Sequence, residues 1–270
     1  MKVQAYIVDS FTDKAFKGNP AGVCLLQSEL DEHLMQSIAT ELNLSETAFV
    51  LKTRPSSYHY SIRYFTPTVE IDFCGHATLA ASKVLIEETG LEQVAFTTHK
   101  NLELSAVQES NAILMNFPLY DTEAYDVDDK LLAAFGIDNP LTTRFAKALD
   151  MLVIEVENKD TLLTIDPDYS EALKSSNTIK ELVVTCASQD QDYNFYSRCF
   201  CPWIGINEDP VTGASHSVLA KYWQQKLNQS EFNAYQLSKR GGFMNLKITS
   251  TSSLEVRANA AIVFRGTLDI

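Results

Sequence analysis

Two segments constrain this chain more than any other part of it. One is Asp72-Phe73-Cys74-Gly75-His76, running into an apolar stretch from Ala77 to Ile86; the other is Ile206-Asn207-Glu208-Asp209-Pro210-Val211-Thr212-Gly213, running into a stretch from Ala214 to about Leu227. Each is a loop that ends in glycine, followed by residues that are apolar on nearly every side at helical spacing. A helix of that kind has to be surrounded. With 270 residues there is room to surround two, because single cores divide at about 250–300 residues. Aligning Gly75 with Gly213 aligns the two helices, an internal duplication visible in layout more than in identity. Any α+β protein has such helices; the added feature is that both begin with glycine and then small or hydrogen-bonding residues.

Short strand-like runs flank both helices. Val3–Val8 reads as a strand that Asp9 and Ser10 leave, Phe16–Gly22 as a turn-rich loop, and Val23–Leu26 as a second strand. Ser28 can cap a helix over Glu29–Leu42, where Leu30, Leu34, Ile38 and Leu42 recur at helical spacing and acidic residues suit the first turn. Strands are predicted at Thr47–Leu51, His59–Phe65, Val94–Thr98, Leu102–Val107 and Ala112–Phe117. In the second half they are predicted at Met151–Val156, Glu181–Ala187, Asn194–Phe200, Phe243–Ile248, Ser253–Val256 and Ala260–Phe264. Pro118–Asp129 is acidic and less apolar. The expected division is therefore a first domain of residues 1–118 plus about 258–270, and a second of residues 119–257.

Composition excludes several classes. The formal charge of −13 repels phosphate backbones, so no nucleic-acid partner is expected, although a local pocket for a small anion is compatible with it. Charge interrupts the N-terminal residues too soon for a signal peptide, and no apolar run approaches the roughly 20 residues of a membrane helix; a cytoplasmic protein is expected. The cysteines (Cys24, Cys74, Cys186, Cys199 and Cys201) are odd in number and read as free thiols. There is no CxxC or HExxH, and nothing obvious completes a tetrahedron around Cys74 and His76, so no metal is expected. GxGxxG and Walker loops are also missing.

A helix N-terminus offers unpaired N–H groups and the positive end of a dipole, which suits a carboxylate, and glycine lets a ligand come close to the backbone. Two such starts facing one another across a cleft would hold a small carboxylate. Glu46, between apolar neighbours at a strand edge, either follows a helix end into solvent or is desolvated, with a raised pKa suited to proton transfer. His76 is either a structural histidine bonded to backbone or a site residue. Asp209, before Pro210, is either a turn residue or a partner for a substrate ammonium or hydroxyl. Cys74 is either a small buried hydrophobe or a thiolate stabilised by the helix dipole.

Five segments in order resemble the phenazine-biosynthesis PhzF-like family. They are Asp9-Ser10-Phe11-Thr12 with Phe16–Val23; Leu44-Ser45-Glu46-Thr47-Ala48-Phe49; Arg63–Pro67 with Glu70–Thr78; Arg198–Pro202 with Gly205–Gly213; and Gln236–Gly242. The resemblance covers nearly the whole chain. It implies a diaminopimelate-epimerase-like fold of two similar α+β domains, each a β-barrel-like sheet around a central helix, with the site between them. It also implies a cofactor-independent isomerase and a homodimer. Glu46 would move a proton, and His76 and Asp209 would contact substrate and assist. Gly75 and Ala77 on one side, with Gly213, Ala214 and Ser215 on the other, would hold a carboxylate and developing charge. The sequence departs from the family where a serine is expected directly after Gly213: Ala214 stands there and Ser215 follows. Epimerases of the same fold use paired cysteines. Cys74 matches one, but Pro210–Ser215 contains no second, so a racemase or epimerase using Cys74, or a non-catalytic small-molecule-binding protein, stands as the alternative.

Overall fold

The computed structural model describes residues 1–53 and 57–270. The chain forms two compact units, Met1–Asn116 with Val256–Ile270, and Phe117–Glu255.

In the first unit the strands are β1 (Lys2–Ser10), β2 (Asn19–Leu26), β3 (Glu46–Lys52), β4 (His59–Phe65), β5 (Glu70–Ile71), β6 (Gln93–Thr98), β7 (Glu103–Glu109) and β8 (Ala112–Pro118). The C-terminal strand Ala260–Asp269 pairs antiparallel with β1. From β1 onward the pairings alternate: β1–β2 antiparallel, β2–β3 parallel, β3–β4 antiparallel, β4–β6 parallel, and β6–β7 antiparallel. Helix α1 (Glu32–Leu42) provides the crossover that the parallel β2–β3 pair requires, and α2 (Gly75–Thr89) provides that of β4–β6. Helix α2 packs against β1, β2, β3, β6, β7 and the C-terminal strand. Its buried face runs from His76 to Ile86 with little interruption, which is why its sequence carries no amphipathic stripe.

The second unit repeats this plan. Its strands are β9 (Glu123–Ala124), β10 (Thr142–Ala146), β11 (Met151–Glu155), β12 (Glu181–Ala187), β13 (Phe195–Cys201), β14 (Ile206–Asp209), β15 (Glu231–Gln236) and β16 (Gly242–Ile248). The pairings β10–β11, β11–β12, β12–β13, β13–β15 and β15–β16 run antiparallel, parallel, antiparallel, parallel, antiparallel, the same alternation as in the first unit. Short helices α3 (Asp129–Ala134), α4 (Lys159–Thr164) and α5 (Tyr169–Ser175) precede α6 (Gly213–Leu227), the counterpart of α2. Trp223 of α6 stacks on Phe195 at 5.7 Å, and its indole N–H donates to Thr185 Oγ1 at 3.0 Å.

The repetition extends to side chains. Arg63 of β4 grips Glu70 of β5 through Nε and Nη2, both at 2.7 Å, and lies over the Phe65 ring at 5.2 Å. Arg198 of β13 grips Glu208 of β14 at 2.8 and 3.1 Å and lies over Phe200 at 4.8 Å. In each unit the phenylalanine stands directly opposite the glutamate, five residues before the helix glycine. A bidentate arginine fixes the short strand, and the short strand aims the helix start.

Several local expectations are corrected. Helix α1 begins at Glu32, not Glu29, because Asp31 rather than Ser28 caps it, its carboxylate accepting from the His33 and Leu34 N–H groups. Asp9 and Ser10 belong to β1, and β2 begins at Asn19, because the antiparallel register continues through Ser10↔Asn19. Pro20 is tolerated there because β3 begins pairing one residue later, at Ala21. Asp209 ends a strand instead of lying in a loop.

Candidate functional site

In the first unit, Glu46 is the first residue of β3 and His76 the second of α2. Glu46 Oε2 lies 3.0 Å from His76 Nε2, with both side chains nearly out of solvent. Residues of the opening and catalytic-glutamate segments hold the imidazole. Ser10 Oγ donates to the His76 carbonyl at 2.7 Å, Asn19 Nδ2 lies 3.4 Å from Nδ1, and Ser45 Oγ lies 3.3 Å from Nε2. The Asp9 carboxylate accepts from Phe16 N–H at 2.6 Å. That bond shapes the turn in which Gly18 takes φ +63°, where a Cβ would collide with the Ser10 carbonyl.

The titration of this cluster differs from the sequence expectation. Burial alone would push the Glu46 carboxyl up, but the His76 charge and hydrogen bond, helped by Ser45 and Cys74, hold it below its ordinary value. Burial likewise disfavours a charged imidazole; with Cys74 held as a thiol, its hydrogen bond and the Glu46 carboxylate raise His76 above the ordinary histidine value. At neutral pH the pair is a carboxylate and an imidazolium. Glu46 is thus an ionised base braced by a cation, not a carboxyl kept protonated by desolvation.

Cys74 is the N-cap residue of α2, in extended backbone conformation. Its sulfur is 3.3 Å from His76 Nδ1. Burial outweighs the His76 charge and pushes its pKa up, so it is held as a thiol and not as the thiolate that the helix dipole alone would favour. One donor atom each from Glu46, Cys74 and His76 lie within 4.8 Å of one another, the set among the described residues that could hold a metal ion. All three are already joined to each other by hydrogen bonds or the ion pair.

In the second unit, Asp209 Oδ2 accepts a short hydrogen bond from Thr212 Oγ1, and Gln236 Nε2 donates to the Asp209 carbonyl at 2.8 Å. Gln236 Oε1 also accepts from Thr212 N–H at 3.0 Å. Ser238 Oγ donates to the Pro210 carbonyl at 2.7 Å and accepts from Gly241 N–H at 3.0 Å. Gly241 adopts φ +67°, and a Cβ there would press on the Tyr235 hydroxyl. The late turn of the chain therefore clamps the loop that opens α6. Ser215 is fully buried, and its hydroxyl donates to the Thr212 carbonyl at 2.9 Å. One residue beyond Ala214, its hydroxyl is turned into the helix's own first turn. Ala214, by contrast, is partly exposed.

Glu46 and His76 are in direct contact, with Gly75 and Ala77 in the same helical turn; Gly213, Ala214 and Ser215 open α6 beside Asp209. Sequence reasoning missed Asn19, Ser45, Thr212, Gln236 and Glu181. Glu181 Oε2 accepts from the Cys199 thiol at 3.7 Å. A signal for it was present: Glu46, Arg63 and Phe65 have the same spacing as Glu181, Arg198 and Phe200.

A duplicated α+β plan with glycine-opened central helices defines the epimerase-type fold. A hydroxyproline epimerase from Agrobacterium vitis shares it at a TM-score of 0.59 and 11% identity, covering 99% of this chain and 92% of that one. The sequence profile of the PhzC-PhzF family, described as phenazine biosynthesis-like protein, matches residues 8–266, and the chain belongs to that family. A PhzF family phenazine biosynthesis protein from Enterococcus faecalis has a crystal structure that superposes with a TM-score of 0.92 at 35% identity over 100% of both chains. An uncharacterized isomerase from Halalkalibacterium halodurans is 42% identical over 252 residues, 92% of each chain.

Proposed function

We propose that this protein is an isomerase that relocates a proton on a small carboxylate substrate, without a cofactor, with Glu46 as the acid/base residue. The observation that carries the reading is the Glu46–His76 pair: a buried carboxylate kept ionised by an imidazolium 3.0 Å away, beside the first turn of a central helix. An ionised carboxylate can accept a proton, and the neighbouring cation stabilises negative charge that develops next to it. The N–H groups at the starts of α2 and α6 suit a substrate carboxylate. Asp209, held by Thr212 and Gln236, is assigned to a polar group of the substrate. Relatives named as isomerases, and an epimerase with the same fold, support proton-transfer chemistry. The raised Cys74 pKa weighs against the alternative of a cysteine racemase.

The test is incubation of wild type and Glu46→Gln in D₂O with the small-molecule extract of the source cell, read by mass spectrometry. A metabolite that gains deuterium with wild type and not with Glu46→Gln supports the assignment. Equal exchange by both proteins rejects it.

A further inference from the structure

Cys74 and His76 stand two residues apart in the sequence, with no third donor close to them along the chain that completes a metal-ligand motif. The fold supplies one. Helix α2 packs across β2 and β3, so Glu46, the first residue of β3, meets the first turn of α2. A donor atom from each of the three residues lies within 4.8 Å of the other two. Zinc bonds of about 2.0–2.3 Å set the donors of one tetrahedral ion about 3.3–3.6 Å apart. His76 Nε2 is 3.0 Å from Glu46 Oε2, and Cys74 Sγ is 3.3 Å from Nδ1 and 4.0 Å from Nε2 of the same ring. These separations bracket the tetrahedral edge, so small side-chain shifts would seat an ion bonded to Nε2. Nδ1 is then left to the Asn19 amide, 3.4 Å away, and a hydrogen-bond partner on the second ring nitrogen is what orients a metal-binding imidazole. The backbone carrying the donors is fixed as well: Ser10 Oγ donates to the His76 carbonyl and Thr78 Oγ1 to the Cys74 carbonyl, both at 2.7 Å.

Donor chemistry selects the ion. One sulfur, one nitrogen and one carboxylate oxygen suit zinc, whereas magnesium and calcium take oxygens. Charge agrees with this. Carboxylate, imidazolium and thiol sum to zero, and so do Zn²⁺, carboxylate, thiolate and neutral imidazole. Uptake releases two protons, one from the thiol and one from the imidazolium, for one dication, so the buried cluster gains no net charge. Three protein donors leave the fourth position to water or another small ligand. Counting from the helix glycines, Thr212 and Ala214 replace Cys74 and His76 in the second unit, so the donor set belongs to the first unit alone.

We infer that Glu46, Cys74 and His76 form a binding site for Zn²⁺, and that the bound ion stops proton transfer by occupying the lone pair with which Glu46 would take the proton. The inhibition rests on the reading of Glu46 as the base; the metal site does not.

Co²⁺ is the coloured stand-in for Zn²⁺. Titrating the metal-free full chain with Co²⁺ should give a thiolate-to-cobalt charge-transfer band that saturates at one ion per chain and is bleached by Zn²⁺. Cys74→Ser should lose the band. His76→Gln and Glu46→Gln should each weaken Zn²⁺ binding by about a hundredfold or more, read by competition with a chelating dye. No thiolate band, or a band unchanged in Cys74→Ser, overturns the site, as does equal Zn²⁺ affinity of wild type and all three variants. X-ray absorption of the wild-type zinc complex decides the case should a variant fail to fold. One sulfur at about 2.3 Å with nitrogen and oxygen at about 2.0–2.2 Å is expected, and a shell of nitrogen and oxygen alone overturns the proposal. Deuterium exchange with the cell extract reads the inhibition. Free Zn²⁺ held above its dissociation constant should abolish wild-type exchange and a chelator restore it. Cys74→Ser, judged against its own metal-free rate, should need about a hundredfold more zinc. Undiminished wild-type exchange at saturating zinc overturns the inhibition when Glu46→Gln is silent. If Glu46→Gln exchanges like wild type, the assignment of the base fails instead, and the zinc site stands or falls on its spectra.

Discussion

His76 Nε2 sits 3.0 Å from Glu46 Oε2, and each group sets the charge of the other. Burial opposes both charges, and each group offsets that cost for the other. Removing His76 therefore does more than delete a contact: it strands a carboxyl in a dry place.

His76→Leu should lower stability by about 3–5 kcal/mol in urea unfolding near pH 6, the usual cost of orphaning one member of a buried pair. The lowered Glu46 pKa contributes stability above its unfolded value of 4.5, lost as pH falls through the folded value. The raised His76 pKa contributes below its unfolded value of 6.5, lost as pH rises through the folded value. The wild-type advantage over His76→Leu should thus be greatest between those two pH values and shrink on the acid side. A difference that does not vary with pH would rule out the ion pair.

Glu181 should have the reverse effect. Its folded pKa, about 7, lies above the unfolded 4.5, so the folded state holds the extra proton between those values and loses stability as pH rises through them. The full penalty, reached above pH 7, is at most about 3 kcal/mol, reduced by the solvent that reaches the side chain. Glu181→Gln should raise the melting temperature at pH 8 and leave it nearly unchanged at pH 4.5; equal shifts at both would show a simple packing effect.

His216 is fully buried and donates through Nδ1 to the Thr212 carbonyl at 2.7 Å. Burial pulls its pKa down to about 4 from 6.5. The unfolded chain binds the proton first as pH falls through that window, so stability declines by about 3 kcal/mol across it. His216→Phe should flatten that part of the acid limb in chemical denaturation, whatever it costs at pH 7. An unchanged slope would place acid sensitivity elsewhere.

Cys74 is buried and kept as a thiol. The native protein should leave it unalkylated by iodoacetamide at neutral pH over times in which unfolded protein reacts fully, as peptide mapping would show. Cys74→Ala should retain most of the deuterium exchange seen with wild type. Loss of exchange in a folded Cys74→Ala would revive the cysteine racemase.

The parts legible in the sequence were those with a local physical signature. Helices α2 and α6 announced themselves because their residues are apolar all round; His76 was marked by its place at the start of one of them, and Glu46 by its strand edge and the family resemblance. The charge of Glu46 was not legible, since it depends on a histidine thirty residues away brought to 3.0 Å. Strand β10 was missed because four of its five residues are only partly buried, and the polar start Thr-Thr-Arg gives no alternation to read. Strand β15, Glu231–Gln236, is paired in parallel with β13, so a tertiary partner decides its conformation more than its own side chains do. Glu181 becomes meaningful only once the register equates Phe65 with Phe200.

The matching arginine braces separate what the two units have in common from what only one of them has. The two units share an arginine–glutamate brace, Arg63 with Glu70 and Arg198 with Glu208, while Cys74 and His76 are matched by Thr212 and Ala214 in the alignment of helix glycines. What the two units share is carpentry, and where they differ is chemistry. A chain rebuilt from two first halves would keep both braces and both glycines, and would repeat the Cys-Gly-His helix start that the second unit lacks. The present chain thus carries its frame in duplicate and its buried glutamate–histidine pair once, in the first unit.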